Sequence, residues 1–167
     1  MSLLSKIFPR AATLTSQWIF DAFLGSYAER KTFFHGHSYT ANPLGSAVAL
    51  ANLETFDREK TLLRVAGRSI EFEQMLQSFW KNSHVGDVRR VGLIAGIELV
   101  RDWKTRKRYA WEERMGGRVC EEAKKHGVLT RPIGNVVVVM PPLCITAGQL
   151  EKICGVLQRS MRTVCGS

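Results

Sequence analysis

The run Asn135-Val136-Val137-Val138-Val139-Met140 constrains the fold of this chain more than any other stretch. Its consecutive valines are stiff at χ1 and favour extended backbone. Pro141-Pro142 ends the run, because proline has no N–H to give to a ladder. A strand this continuously apolar must lie inside a sheet, covered rather than washed by solvent. A sheet in turn needs further strands beside it and helices over it.

The flanking segments supply both. Val85-Gly86-Asp87-Val88-Arg89-Arg90 alternates loosely, and the stretch from Val91 to Val100 is rich in small and β-branched residues. These read as two strands or one long bent strand, with Gly92 and Gly96 easing close packing. Glu112 to His126 has helical spacing and stops at Gly127, a residue suited to a left-handed C-cap. Val128-Leu129-Thr130-Arg131 reads as a short strand broken by Pro132. Thr146, with Gln149 three residues on, forms a capping box for a final helix carrying Leu150, Ile153, Cys154 and Leu157. The second half is thus expected to be a small α+β domain, with helices on one face of its sheet.

The first half is different in texture. Ala11 to Leu14 reads as a strand end, and Thr15 can cap a helix running to Phe23, with Gly25 as its stop. After a polar link, Phe33-Phe34 feed the turn His35-Gly36-His37-Ser38-Tyr39-Thr40-Ala41. Asn42 is a good N-cap, and Pro43 sits where a helix tolerates its missing N–H. Leu44, Ala47, Val48, Ala51 and Phe56 then form an apolar stripe. A second helical pattern from Arg58 to Phe79 offers Leu62, Leu63, Ala66, Ile70, Phe72, Met75, Leu76 and Phe79 for burial, with Gly67 weakening it. A hydroxyl-rich turn with free N–H groups before a helix start is an ordinary capped entry, and equally a place for an anion.

Composition narrows the classes. With 167 residues and 45% hydrophobic content, the chain is a folded globular protein of one domain, or one small domain with an arm. The net charge of +9 comes from 24 basic residues spread along the chain, with one modest cluster from Arg101 to Arg108. Such a spread describes a solvated basic face rather than a nucleic-acid binder, and no zinc-finger, RNP-like or homeodomain pattern is present. Cys120, Cys144, Cys154 and Cys165 show no C-x-x-C spacing, so free thiols in a reducing, cytoplasmic compartment are expected. No apolar run approaches the ~20 residues a membrane span requires. Lys6 and Arg10 without an acid in the first twenty residues faintly resemble an organellar leader, but residues 11 onward make a better strand and helix.

Few residues invite chemistry. His35 and His37 are a metal-ligand pair without a third ligand at useful spacing, so no metal is expected. Ser38 is not in a G-x-S-x-G elbow. Arg131 lies beside the rigid break at Pro132, which can hold a guanidinium fork for a carboxylate; a plain surface arginine in a hairpin has the same sequence. Lys6, the only lysine before residue 31, could form a Schiff base if desolvated, and is otherwise a solvated lysine near a chain start.

Taken in order and spacing, four segments resemble the C-terminal part of class III pyridoxal-phosphate aminotransferases. They are Ala11-Ala12-Thr13-Leu14, Phe33 to Leu50, Val85 to Arg89 with Gly92 to Glu98, and Gly127 to Leu143. The likeness runs from about Ala11 to Leu157 and is strongest to the biotin-synthesis branch, which converts 8-amino-7-oxononanoate to 7,8-diaminononanoate. Another class III enzyme acting on an ω-amino acid is the alternative within the family, and a non-enzymatic basic interaction module the alternative outside it.

The resemblance implies an α/β fold with an α+β C-terminal part, that is, the end of the large domain and the small domain of a fold-type I pyridoxal-phosphate transferase. Residues 1–42 would be the remnant of the large domain, 43–82 connecting helices, and 83–167 the small domain. It implies that His37 and Ser38 hold the cofactor phosphate, that the Gly36 backbone approaches the substrate, and that Arg131 binds the substrate carboxylate. The turn would reach across a homodimer interface.

The departures carry expectations too. A complete family member is more than twice as long, and the Gly-rich segment that follows its cofactor lysine is missing after Ser5-Lys6. Lys6 is therefore not assigned, and no catalytic residue is named. The ring-stacking aromatic, the acid that pairs with the pyridine nitrogen and the first phosphate loop have no counterpart here. The expectation is a piece of the enzyme, inactive alone, that pairs with itself or with a missing N-terminal half. The choice of amino donor, adenosylmethionine or lysine, would be made by residues outside this chain.

Overall fold

Val136–Val139 is an inner strand of an antiparallel sheet, as its composition demands, and the rest of the larger unit is arranged around it. The computed structural model describes residues 14–38 and 40–166. The chain divides into two units, residues 1–58 and 59–167.

In the first unit, α1 spans Gln17–Asp21, a single 3-10 turn covers Tyr27–Glu29, and α2 runs from Pro43 to Arg58. The first helix is shorter than its pattern suggested. Its N-cap is Ser16 rather than Thr15, it has no side-chain cap hydrogen bond, and it ends well before Gly25. A helix of five residues cannot outweigh its own nucleation cost without packing, and α1 buries nothing. The strand end expected at Ala11-Ala12-Thr13 lies outside the described residues, as does Lys6. Only Gly45 is buried among the described residues of this unit. The expected stripe on α2 is not a buried face: Leu44 is 67% exposed, and Ala47 and Ala51 also stand in solvent.

The second unit holds the core. Helix α3 (Thr61–Gln77) runs unbroken through Gly67 and tightens into a 3-10 turn at Ser78–Lys81. Strands β1 (Val85–Val91) and β2 (Ile94–Asp102) form a hairpin, so the stretch from 85 to 100 is two strands and not one. A two-residue β3 (Lys107–Arg108) pairs with the end of β2. After a 3-10 turn at Trp111–Glu113 come α4 (Met115–Lys125), β4 (Arg131–Ile133), β5 (Val136–Val139) and α5 (Ala147–Cys165). The sheet order is β1-β2-β5-β4.

Both hairpins close the same way. Val91 faces Ile94 and Ile133 faces Val136, leaving the loops Gly92-Leu93 and Gly134-Asn135. Each opens on a glycine at φ +58°, the left-handed first position that such two-residue loops demand. The helix expected from Glu112 begins only at Met115, because Arg114 takes a left-handed φ of 49° and ends the 3-10 turn there. Gly127, at φ +76°, follows α4 as expected.

The fourth strand is displaced from its expected place. Val128-Leu129-Thr130 is not a strand, and Pro132 lies inside β4 instead of ending it. The strand tolerates the proline because β4 is the sheet edge, where one missing N–H costs no ladder bond.

Cross-strand partners show that Ala95, Ile97 and Leu99 of β2 share a face with Val137 and Val139 of β5. That face is the buried one. It packs against Phe72, Leu76 and Phe79, against Val119 and Ala123 of α4, and against Leu150, Leu157 and Met161 of α5. The capping box of α5 forms as written in the sequence, Gln149 N–H donating to Thr146 Oγ1 and Thr146 N–H to Gln149 Oε1. Leu62, Leu63 and Ile70, expected in the core, are 60–71% exposed, because the side of α3 that packs on the core carries Val65, Phe72, Met75 and Leu76 instead.

Candidate functional site

The loop before α2 is held by its own residues. Rings run in sequence from Phe23 to Phe33 (5.0 Å between centroids), Phe33 to His35 (5.4 Å) and His35 to His37 (4.8 Å, edge to face). The next turn is closed from both directions: Thr40 N–H donates to the His37 carbonyl, and His37 N–H donates to Thr40 Oγ1, each at 2.9 Å. Ser38 sits at the exposed bend of that turn, and its hydroxyl has no partner among the described residues. A Cβ built on Gly36 would meet nothing within 4 Å, so nothing in the described residues demands a glycine there.

Asn42 fulfils its capping role and, in doing so, changes the anion reading. Its Oδ1 accepts from Leu44 N–H at 3.0 Å and Gly45 N–H at 3.4 Å, while its carbonyl accepts from Ser46 N–H at 3.0 Å. The N–H groups expected to be free at this helix start are therefore taken by the chain itself at these two positions. The Ser38 hydroxyl remains an exposed donor of the turn, without a partner among the described residues. A single hydroxyl at the bend of an ordered turn has the donor chemistry that a phosphate oxygen accepts.

Arg131 belongs to the second unit. Its backbone pairs with Val138, and Thr130 Oγ1 donates to the Val138 carbonyl, pinning the strand start. Following the register across the sheet, Arg131, Val138, Gly96 and Arg89 form one row on the face opposite the core. The two arginines differ in company. Arg89 lies 3.2 Å from Asp87 and 3.1 Å from Glu98, and Arg108 adds a further contact to Glu98 at 3.7 Å. Arg131, about 14 Å away by strand spacing, is exposed and has no ion pair among the described residues. It is a planar cation with its fork open, suited to a carboxylate.

What aims Arg131 was not read from the sequence. A Cβ on Gly116, in the first turn of α4, would stand 2.3 Å from the Gly134 carbonyl oxygen and 3.0 Å from Pro132 Cβ. A Cβ on Gly134 would meet the Trp111 ring at 3.0 Å. The hairpin bearing Arg131 is thus seated between the start of α4 and an indole ring, with glycine on both sides of the closest approach. The Gly116-Gly117 pair at a helix start was the available signal, since glycine there weakens a helix unless packing requires it.

A polar strut stands behind this hairpin. Asn135 Nδ2 donates to the Tyr109 carbonyl at 2.9 Å, and the Tyr109 hydroxyl lies 2.7 Å from His84 Nδ1. Burial pushes the Tyr109 phenol well above its ordinary value, so it stays a donor. Arg101 lies over the Tyr109 ring at 5.2 Å and pairs with Glu113, whose carboxyl it holds below the usual carboxylate range. The four cysteines are free thiols, with Cys120 and Cys154 pushed up to about 11 by burial. No three His, Cys, Asp or Glu side chains among the described residues come together as a metal site, and no helix among them is long and apolar enough to cross a membrane.

Gly36, His37 and Ser38 therefore share one loop, and Arg131 stands on the open sheet face of the other unit. Against known proteins, residues 3–161 match the family model described as aminotransferase class-III. The chain is 50% identical over 158 residues to the adenosylmethionine-8-amino-7-oxononanoate aminotransferase of Geobacter sulfurreducens, a match covering 95% of this chain and 35% of that protein. It is 49% identical over 153 residues to the enzyme of that name from Anoxybacillus flavithermus, covering 92% and 34%. Among solved structures, the Methanocaldococcus jannaschii enzyme of that name superposes with a TM-score of 0.86 at 37% identity, covering 90% of this chain and 34% of that one. An omega transaminase from Pseudomonas jessenii in complex with PMP superposes with a TM-score of 0.76 at 29% identity, covering 82% and 30%. The chain thus spans about a third of the length of the relatives it matches. The α/β fold with an α+β C-terminal part is the one shared with these fold-type I transaminases.

Proposed function

The chain belongs to the class III aminotransferase family, and on that premise we propose that it is the C-terminal part of a biotin-pathway aminotransferase converting 8-amino-7-oxononanoate to 7,8-diaminononanoate. The observation that carries this is the 50% identity across 95% of the chain to a relative of that name, against 29% to the omega transaminase. An enzyme of this family uses pyridoxal phosphate, which supplies the electron sink for amino-group transfer when bound. Within this chain, Ser38 is the phosphate contact, donating its unpaired hydroxyl from a turn already closed by His37 and Thr40. His37 orders that turn through its backbone and packs its ring on His35. Gly36 lets substrate pass close to the main chain, which fits the open space beside it. Arg131 takes the substrate carboxylate at the end remote from the reacting carbon, fixing its distance and direction.

The exposed Trp18, Phe34, Leu50 and Leu53 of the first unit are the surface on which the rest of the enzyme, from the same or a second copy, docks. The 167 residues on their own supply contacts for two anions and leave the remaining groups of the site to be supplied.

Product formation from 8-amino-7-oxononanoate tests this reading. The chain alone is expected to give none. Fused behind the preceding two-thirds of the Geobacter sulfurreducens relative, it is expected to give product, with either adenosylmethionine or lysine identified as donor. In that fusion, Arg131→Ala should raise KM for the oxononanoate more than tenfold while leaving the donor's KM alone. Turnover by the isolated chain, together with borohydride fixing pyridoxal phosphate to Lys6 in a separate sample, would overturn the proposal.

A further inference from the structure

Two adjoining cavities of the second unit meet at Lys81-Asn82-Ser83, on residues that the aminotransferase reading leaves unused. The first, ≈ 520 Å³, is lined chiefly by Ser78, Lys81, Asn82, Ser83, Gln158 and Arg162, and no carboxylate side chain among the described residues lines it. Lys81 and Arg162 make no ion pair with any described residue. Asn82 Oδ1 accepts from His84 N–H at 2.8 Å, which leaves the amide NH2 of Asn82 as its ligand-facing group. Lys81, Arg162 and the Asn82 amide thus offer two cations and a donor to this cavity.

The second cavity, ≈ 580 Å³, adds Trp80, Trp103, Lys104, Arg101 and Asp102. Its carboxylate and its arginine are already engaged. Asp102 Oδ1 accepts from the N–H groups of Lys104 (2.7 Å) and Thr105 (3.3 Å), and Arg101 is paired with Glu113. Trp80 and Trp103 are 40% and 46% exposed, and the Arg106 guanidinium stands over the Trp103 ring at 5.6 Å. Two partly exposed indoles beside Lys81 and Arg162 match a ligand with one flat end and one anionic end. Each cavity is of the size that small molecules occupy.

We propose that this double cavity binds a nucleoside diphosphate, its phosphates between Lys81 and Arg162 and its base against Trp103 and Trp80. The site lies wholly in the second unit and does not depend on the aminotransferase reading. Tryptophan fluorescence and calorimetry on the whole chain, with ADP, pyrophosphate and adenosine as separate probes, test it. ADP should bind saturably, quench the tryptophans, and bind more tightly than either pyrophosphate or adenosine. The double variant K81Q/R162Q should lose roughly tenfold or more in ADP affinity, as expected for two lost charge-assisted contacts. W103A should lose about fivefold or more through lost stacking. The control K124Q/K152Q removes the same charge elsewhere on the surface and should change nothing. Since all these side chains are exposed, folding should survive, and K81Q alone carries the same expectation if the double variant unfolds. No saturable ADP binding, or an equal loss in the control, overturns the proposal. Pyrophosphate or adenosine binding as tightly as ADP also overturns it.

Discussion

The two units of this chain bury very different shares of themselves, and the difference separates recognition from stability. The second unit closes a continuous core over one sheet face, from Phe72 and Val85 to Leu157 and Met161. The first buries only Gly45 among its described residues, while Trp18, Phe34 and Tyr27 stand 74–101% exposed. Yet the first unit carries the more ordered local device, a turn closed by reciprocal Thr40–His37 bonds and followed by an Asn42 cap. A turn and a cap need only neighbours in sequence. A core needs segments distant in sequence to pack together, and the described residues of the first unit bury almost nothing.

The comparison breaks most visibly at the core. Phe72→Ala removes a fully buried ring and should cost about 3–5 kcal/mol, read as a lower midpoint of denaturant unfolding that reports on the second unit. A much smaller loss would mean that the helix face is not fixed to the sheet. Next, Gly116→Ala should cost about 1–3 kcal/mol by overpacking, because the new methyl meets the Gly134 carbonyl. In an assembled enzyme it should also raise the oxononanoate KM by shifting Arg131.

Alkali should weaken the second unit selectively. Burial raises Cys120 and Cys154 from 9.0 to about 11. Their folded values exceed the unfolded ones, so the stability they contribute is complete below pH 9 and is lost as pH rises towards about 11. Melting temperature against pH checks this, and thiol reagents should modify exposed Cys144 in the native protein before the buried pair. A flat profile across that window would detach those thiols from the core.

Smaller still is Asn42→Ala, which should cost about 1 kcal/mol of local helix stability. Faster amide exchange at Leu44 and Gly45, with no change in the unfolding midpoint of the second unit, is the expected pattern. Arg131→Ala should leave stability within about 0.5 kcal/mol of the parent, since the side chain is exposed and unpaired among the described residues. A larger loss would make Arg131 a structural residue and remove its claim on a substrate.

Much of this was legible from one dimension. The valine run, the Thr146–Gln149 box and the Asn42-Pro43 helix start depend on backbone preferences of a few adjacent residues. The misreadings share a cause. Pro132 was read as a strand breaker because nothing in its neighbours says that β4 is an edge, and Leu62, Leu63 and Ile70 were assigned to a core that α3 meets along its Val65, Phe72 and Leu76 side instead. Trp111 and Gly116 were passed over because their meaning lies in a contact with Gly134, whose closeness no spacing in the chain predicts.

The sequence by itself determined most of which segments extend, coil and turn, because dihedral preference and capping are local. Tertiary structure alone decided which face of each element was buried, which arginine was neutralised and which was left open. Arg89 and Arg131 are alike as residues; the strand itself sets Asp87 two residues from Arg89 and strand pairing adds Glu98, while Arg131 has no such neighbour among the described residues. Charge acts through space over a few ångströms, and the folded sheet sets those distances.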